Sequence, residues 1–119
     1  MAYHWKDLEV WQVSHNLVLE IYHLLKNFPY EERFTLCDQI KRAAYSIPSN
    51  IVEGHSKHSK KEFIKYLYIS RGSLEELRYF LLLSLHIGYI NEESYNSMES
   101  NCTHASKMLN GLLKSLHSS

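Results

Sequence analysis

At 119 residues the chain is sized for a single domain, 1–119, with a core that needs neither metal nor disulfide to hold it. Hydrophobic residues make up 45%, with only four Gly and two Pro, which excludes a disordered tail and a loop-rich β protein. Thirteen Lys and Arg balance thirteen Asp and Glu, so bulk charge argues for neither nucleic-acid nor membrane binding.

Helix one is predicted from about Asp7 to Asn27. Val10, Val13, Leu17, Ile21, Leu24 and Phe28 recur at steps of three and four, the period of one helical face. Trp11, Val18, Tyr22 and Leu25 widen that face, as burial against more than one neighbour requires. Pro29 ends the helix, because the residue before proline is pushed out of the α region.

Helix two begins near Glu31 or Thr35 and carries Leu36, Ile40, Ala44, Ile47 and Ile51 on its apolar stripe. Pro48 falls inside that stripe and removes a backbone donor, so a kink or a break is expected there. Gly54 suits a C-terminal cap. Helix three opens on Ser59-Lys60-Lys61-Glu62, a capping box, and runs from Lys60 to Ile87, where Gly88 stops it. Phe63, Leu67, Ser70, Leu74, Leu77, Leu81 and Leu85 share one face, and the helix length is roughly 42 Å at 1.5 Å per residue. Helix four starts after the N-cap Asn91, with Glu92 and Glu93 at its positive end. Its seam is Tyr95, Met98, Cys102, Ala105, Leu109, Leu112 and Leu116, and Gly111 weakens it only slightly.

These elements predict an all-α, up-and-down antiparallel four-helix bundle, since short connections make consecutive helices antiparallel neighbours. A 42 Å helix in so small a domain makes a rod, and a rod with broad apolar stripes has flanks to bury between copies. No apolar run approaches membrane-spanning length; the longest is Tyr79 to Leu83. The N-terminal Met-Ala-Tyr-His-Trp-Lys has no apolar signal core, which makes the cytoplasm the expected compartment. A Cys37–Cys102 disulfide stays open as an alternative to two free thiols.

Two constellations stand apart from the core pattern. Gln39, Ala43, Ser46, Asn50 and Glu53 form a mostly polar stripe beside the apolar one, and helix three offers Ser70, Ser73 and Glu76 to match, with Gly72 permitting close approach. Such a stripe reads as a structural network that sets register, with pairing of Glu53 and Glu76 to Arg42, Arg71 or Arg78. The alternatives are a binding or catalytic pocket built on Glu53, Glu76 and Asn50, or a solvated face.

The second constellation is basic. From Lys41 to Arg78 eight cations stand against Glu53, Glu62, Glu75 and Glu76, a local charge of +4 that the remainder must offset. Lys57, Lys60, Lys61 and Lys65, with Lys41 and Arg42 further upstream, are the candidate phosphate contacts. Nearby Phe63, Tyr66 and Tyr68 offer stacking surfaces. A Lys-rich solvated turn is the alternative. His55 and His58, in the same turn, have metal-ligand spacing but no third ligand. Cys37 with His23 or His104 lacks any oxyanion element. Neither a metal nor a cofactor is expected.

Phe28-Pro29, Gln39-Ile40-Lys41-Arg42-Ala43-Ala44, Ser46-Ile47-Pro48 and Asn50-Ile51-Val52-Glu53-Gly54 together resemble the bacterial four-helix-bundle family of 23S rRNA intervening-sequence proteins, or S23 proteins. The match continues through Ser59, Glu62-Phe63, Ser73 to Leu77 and Gly88-Tyr89-Ile90, and Leu8-Glu9-Val10-Trp11 fits the family's N-terminal pattern. The resemblance implies a homopentamer with no known enzymatic activity. A relative, the accessory protein of diversity-generating retroelements, implies RNA or a nucleic-acid enzyme as partner. That relative is basic, whereas this chain is neutral. A protein-interaction module without nucleic-acid contact is the alternative function.

Overall fold

The computed structural model describes residues 4–119; Met1, Ala2 and Tyr3, part of the stretch read as lacking a signal core, lie outside the described residues. Every regular element among those residues is helical. A 3-10 turn, Trp5–Asp7, leads into α1 (Glu9–Leu25); a second 3-10 turn, Tyr30–Glu32, precedes α2 (Leu36–Ser56); α3 (Lys60–Ile87) and α4 (Glu92–His117) follow. Each helix packs on its neighbours in sequence and α1 closes against α4, an up-and-down square with no diagonal packing. The molecule measures 45 × 24 × 20 Å, with a radius of gyration of 14.8 Å. A compact globule of this size has about 13–14 Å, so the expected rod is observed.

The apolar faces are those the spacing defines, with local shifts. On α1 the buried positions are Val10, Ser14, Leu17, Ile21 and Leu25, while Tyr22 is exposed. Buried Ser14 is accommodated because its hydroxyl donates to the Val10 carbonyl at 2.6 Å. The helix ends at Leu25, two residues before the expected end, in the turn that delivers Pro29. On α4 the seam takes Leu113 fully inside and leaves Leu112 at its edge. An α-helix drifts about 20° per heptad against a strict seven-residue repeat, and over 26 residues that drift moves the buried line by one position.

Of the kink or break expected at Pro48, the break does not occur: α2 is one continuous helix of 21 residues through the proline. Ile40, Ala44, Ile47 and Ile51 are fully buried on both sides of it, so tertiary packing holds the phase where the local hydrogen bond is missing. Gly54 is likewise not the cap. The helix runs on to Ser56, and Gly54 is buried inside it, where an added Cβ would stand 2.6 Å from the Tyr66 Cβ. The close approach expected at Gly72 belongs to Gly54 instead; a Cβ at Gly72 would meet nothing within 4 Å. The boundaries of α3 match those read from its caps. Ser59 accepts the Glu62 N–H, and Gly88, at φ 94°, closes a Schellman motif in which the Tyr89 and Gly88 N–H groups reach the Ser84 and Leu85 carbonyls.

Candidate nucleic-acid interface

Antiparallel packing brings four chain segments to one end of the rod: the start of α1, the last turn of α2, the first turns of α3 and the last turns of α4. Lys57, Lys60, Lys61 and Lys65 all lie exposed there. Lys57 and Lys65 both lie over the Tyr66 ring, at 5.9 and 5.8 Å from its centroid. The Tyr66 hydroxyl donates to Glu53 at 3.3 Å. On the other flank of α3, toward α4, the Arg71 guanidinium lies 4.7 Å over Tyr68, and the Tyr68 hydroxyl shares a 3.0 Å hydrogen bond with His117. Lys60 donates to the Ser119 carbonyl, which ties the chain end onto the patch. Tyr66 with its lysines on the α2 flank of α3, and Tyr68 with Arg71 on the α4 flank, each pair a ring with a cation beside a helix start, the combination that tracks a phosphate backbone and stacks bases. Phe63, the third candidate ring, is buried and packs edge-on against His55 instead.

Lys41 and Arg42 are not part of this surface. They sit about 24 Å away along α2, at 1.5 Å per residue. Lys41 lies over Tyr22 at 5.2 Å, and Arg42 pairs with Asp38. Sequence reasoning missed the contribution of α4: Lys114 and His117 reach the basic end because α4 returns antiparallel to α3, while Lys107 lies near mid-rod. Cutting each helix at its midpoint shows the consequence. The half holding Lys57 to Lys65 carries eight Lys and Arg against four Asp and Glu, and the other half five against nine. A chain of zero net charge is thus a rod with a +4 half and a −4 half.

The polar stripe lies in the seam between α2 and α3. The Ser46 and Ser73 hydroxyls are 2.8 Å apart, Asn50 donates to the Ser46 carbonyl and hydroxyl at 2.7 and 2.9 Å, and buried Ser70 donates to the Ile47 carbonyl at 2.7 Å. Gln39 is exposed at the upstream end of the line. The two carboxylates do not converge: Glu53 binds Tyr66, about 15 Å along α3 from Glu76. The arginines named as their partners bind elsewhere. Arg42 meets Asp38, Arg71 meets Asn110, and Arg78 is held by Glu75 and Glu99. The Glu99 hydrogen bond and charge raise the Arg78 pKa further.

The remaining candidates gain no support from geometry. His55 belongs to α2, not to the turn, and is buried; its ring lies 6.4 Å from that of His58. No group of three metal-ligating side chains occurs among the described residues. Cys37 and Cys102 are free thiols, both buried. Burial raises the Cys37 pKa and pushes Cys102 up to about 12, away from the thiolate a nucleophile needs. At the opposite end of the rod, Glu32 accepts from Thr35 at 2.6 Å and from Tyr89 at 2.7 Å. Those two bonds lower the Glu32 pKa, and the same bond raises that of Tyr89. No helix among the described residues is long and apolar enough to cross a membrane.

Comparison with known proteins agrees with this architecture. A crystal structure from Bacteroides thetaiotaomicron, described as a protein with unknown function from the S23 ribosomal protein family, superposes with a TM-score of 0.82 at 31% identity, covering 88% of this chain and 95% of that one. No curated protein matches the chain. The family model for the 23S rRNA-intervening sequence protein matches residues 6–111. Nearly the whole bundle, from the first 3-10 turn into the last turns of α4, thus carries that pattern, and the chain belongs to the 23S rRNA-intervening sequence protein family.

Proposed function

We propose that this protein is a non-enzymatic, homo-oligomeric scaffold, pentameric as the family resemblance implies, that binds RNA through its basic end. The observation that carries the reading is the gathering of Lys57, Lys60, Lys61 and Lys65 at one end of the rod, with the Tyr66 and Tyr68 rings on the two flanks of α3 and with Lys114 and His117 of α4. A cyclic assembly of parallel rods sets every basic end on one rim and every acidic end on the other. Repetition then multiplies weak sites on a single ligand. Like-charged ends tolerate that arrangement, because rods 20–24 Å across separate them by more than a Debye length of about 8 Å. The tyrosine rings arrive already covered by cations, which favours single-stranded RNA whose bases can slip between ring and charge.

The test is RNA binding by the intact chain across a salt series. A single-stranded probe should bind with an affinity that falls steeply with salt. Replacing Lys57, Lys60 and Lys61 by Ala should reduce the log–log salt slope by about 2, from about 0.7 per lost phosphate contact. No binding at low salt, or no change in the triple variant, rejects the reading. Solution mass tests the assembly: a pentamer has five times the 14.1 kDa chain mass.

The second reading is a protein-interaction module with no nucleic-acid contact. The large apolar side chains left in solvent favour it, above all Tyr30, Phe34 and Tyr79. Recovery of one partner protein and no RNA with the tagged chain selects it.

A further inference from the structure

The acidic end of the rod carries a knob and a groove. The knob is the connection between α1 and α2. Tyr30 is 73% and Phe34 76% exposed, and the Arg33 guanidinium lies between the two rings, 5.3 Å from one and 5.0 Å from the other. Arg33 also donates to the Tyr30 hydroxyl at 3.3 Å. Two aromatic rings in water around one cation form a preorganised plug, with little side-chain freedom left to lose on binding. The groove, of about 590 Å³, runs between the last turns of α1 and the first turns of α4. Leu19, Leu24 and Met98 line its apolar part, and Glu20 and Glu93 put carboxylates on it. Leu19 is 56% exposed, a large apolar residue on the open flank of α1.

We propose that the Tyr30–Arg33–Phe34 knob of one copy seats in the α1–α4 groove of the next. Charge selects this occupant. An acidic, apolar groove repels a phosphate backbone and fits aromatic rings that carry a guanidinium, which the chain supplies at Arg33; Glu32 of the same connection is engaged by Thr35 and Tyr89, and Glu31 is the exposed carboxylate beside it. Position selects it too: knob and groove sit at the same end of the rod, so in copies with parallel long axes each knob is level with its neighbour's groove. A contact between two different patches propagates head to tail and closes into a ring when the rotation allows. The chain's own knob leaves its own groove empty, since Phe34 stays in solvent. Seating Arg33 beside Glu20 and Glu93 also relieves like-charge repulsion along the acidic rim. The inference rests on the self-association reading above and goes beyond it by naming the surfaces.

Sedimentation velocity of the full chain over a concentration series tests it. Phe34→Ser and Arg33→Glu each raise the concentration at which the oligomer dissociates by about tenfold or more, as for hot-spot residues. Glu93→Arg has the same effect, and the double variant Arg33→Glu with Glu93→Arg recovers association. All the changed side chains are exposed, so circular dichroism should report an unchanged helix content. An oligomeric wild type that none of these substitutions weakens, or a double variant no better than the singles, overturns the knob-in-groove contact and leaves self-association standing. A wild type that is monomeric throughout overturns both.

Discussion

Cys102 is a small hydrophobe in this fold. It is fully buried on α4, and desolvation pushes its thiol to about 12, so almost no thiolate exists at neutral pH. Native protein should therefore leave Cys102 unmodified by a thiol reagent over hours, with labelling appearing only as denaturant opens the bundle; rapid native labelling would contradict its burial. Glu32 behaves differently because its environment favours the charged form. Bonds from Thr35 and Tyr89 hold its pKa below the ordinary 4.5, so the stability it contributes is present above 4.5 and is lost as pH falls through the lowered value. Glu32→Gln should lower the melting temperature at neutral pH, and the gap to wild type should close in acid. A gap independent of pH would show that the carboxylate's charge plays no part in joining the α1–α2 connection to Tyr89.

At the scale of elements, the α2–α3 seam organises the bundle. Ala43, Ser46, Asn50 and Gly54 recur at steps of three and four toward α3, and their small or hydrogen-bonded side chains let the two helices approach closely. Gly54→Ala must displace Tyr66, whose Cβ lies 2.6 Å from the new methyl, and should destabilise the fold by about 1–3 kcal/mol. Gly72→Ala, in open solvent on α3, should instead stabilise by about 0.5–1 kcal/mol through helix propensity. Urea unfolding of both variants checks the contrast, and equal effects would refute it. Most of this level was legible beforehand. Ser59, Gly88 and Asn91 mark helix ends by local chemistry, which depends on few neighbours. What was not legible depends on a second helix. Whether Gly54 caps α2 or lets Tyr66 approach is decided by α3, and whether Pro48 breaks α2 is decided by the burial of Ile47 and Ile51. The choice between Leu112 and Leu113 depends on drift accumulated along all of α4.

For the whole molecule the main result is polarity. The +4 segment from Lys41 to Arg78 pointed to a basic region, yet folding divides that segment. Lys57 to Lys65 join Lys114 and His117 of α4 at one end, while Lys41 and Arg42 enter the acidic half beside Asp38. Linear charge counting misses such a dipole, because antiparallel helices average it out along the chain. One end is thereby suited to a polyanion and the other, with its aromatic knob around Arg33 and its acidic groove, to another copy. Photo-crosslinking of a single-stranded RNA to the intact protein, with adducts mapped by mass spectrometry, tests this division most directly. Adducts should concentrate at Tyr66 and Tyr68 and fade with rising salt. Adducts at Tyr30, Phe34 or Tyr79 on the acidic half, or none at low salt, would contradict it.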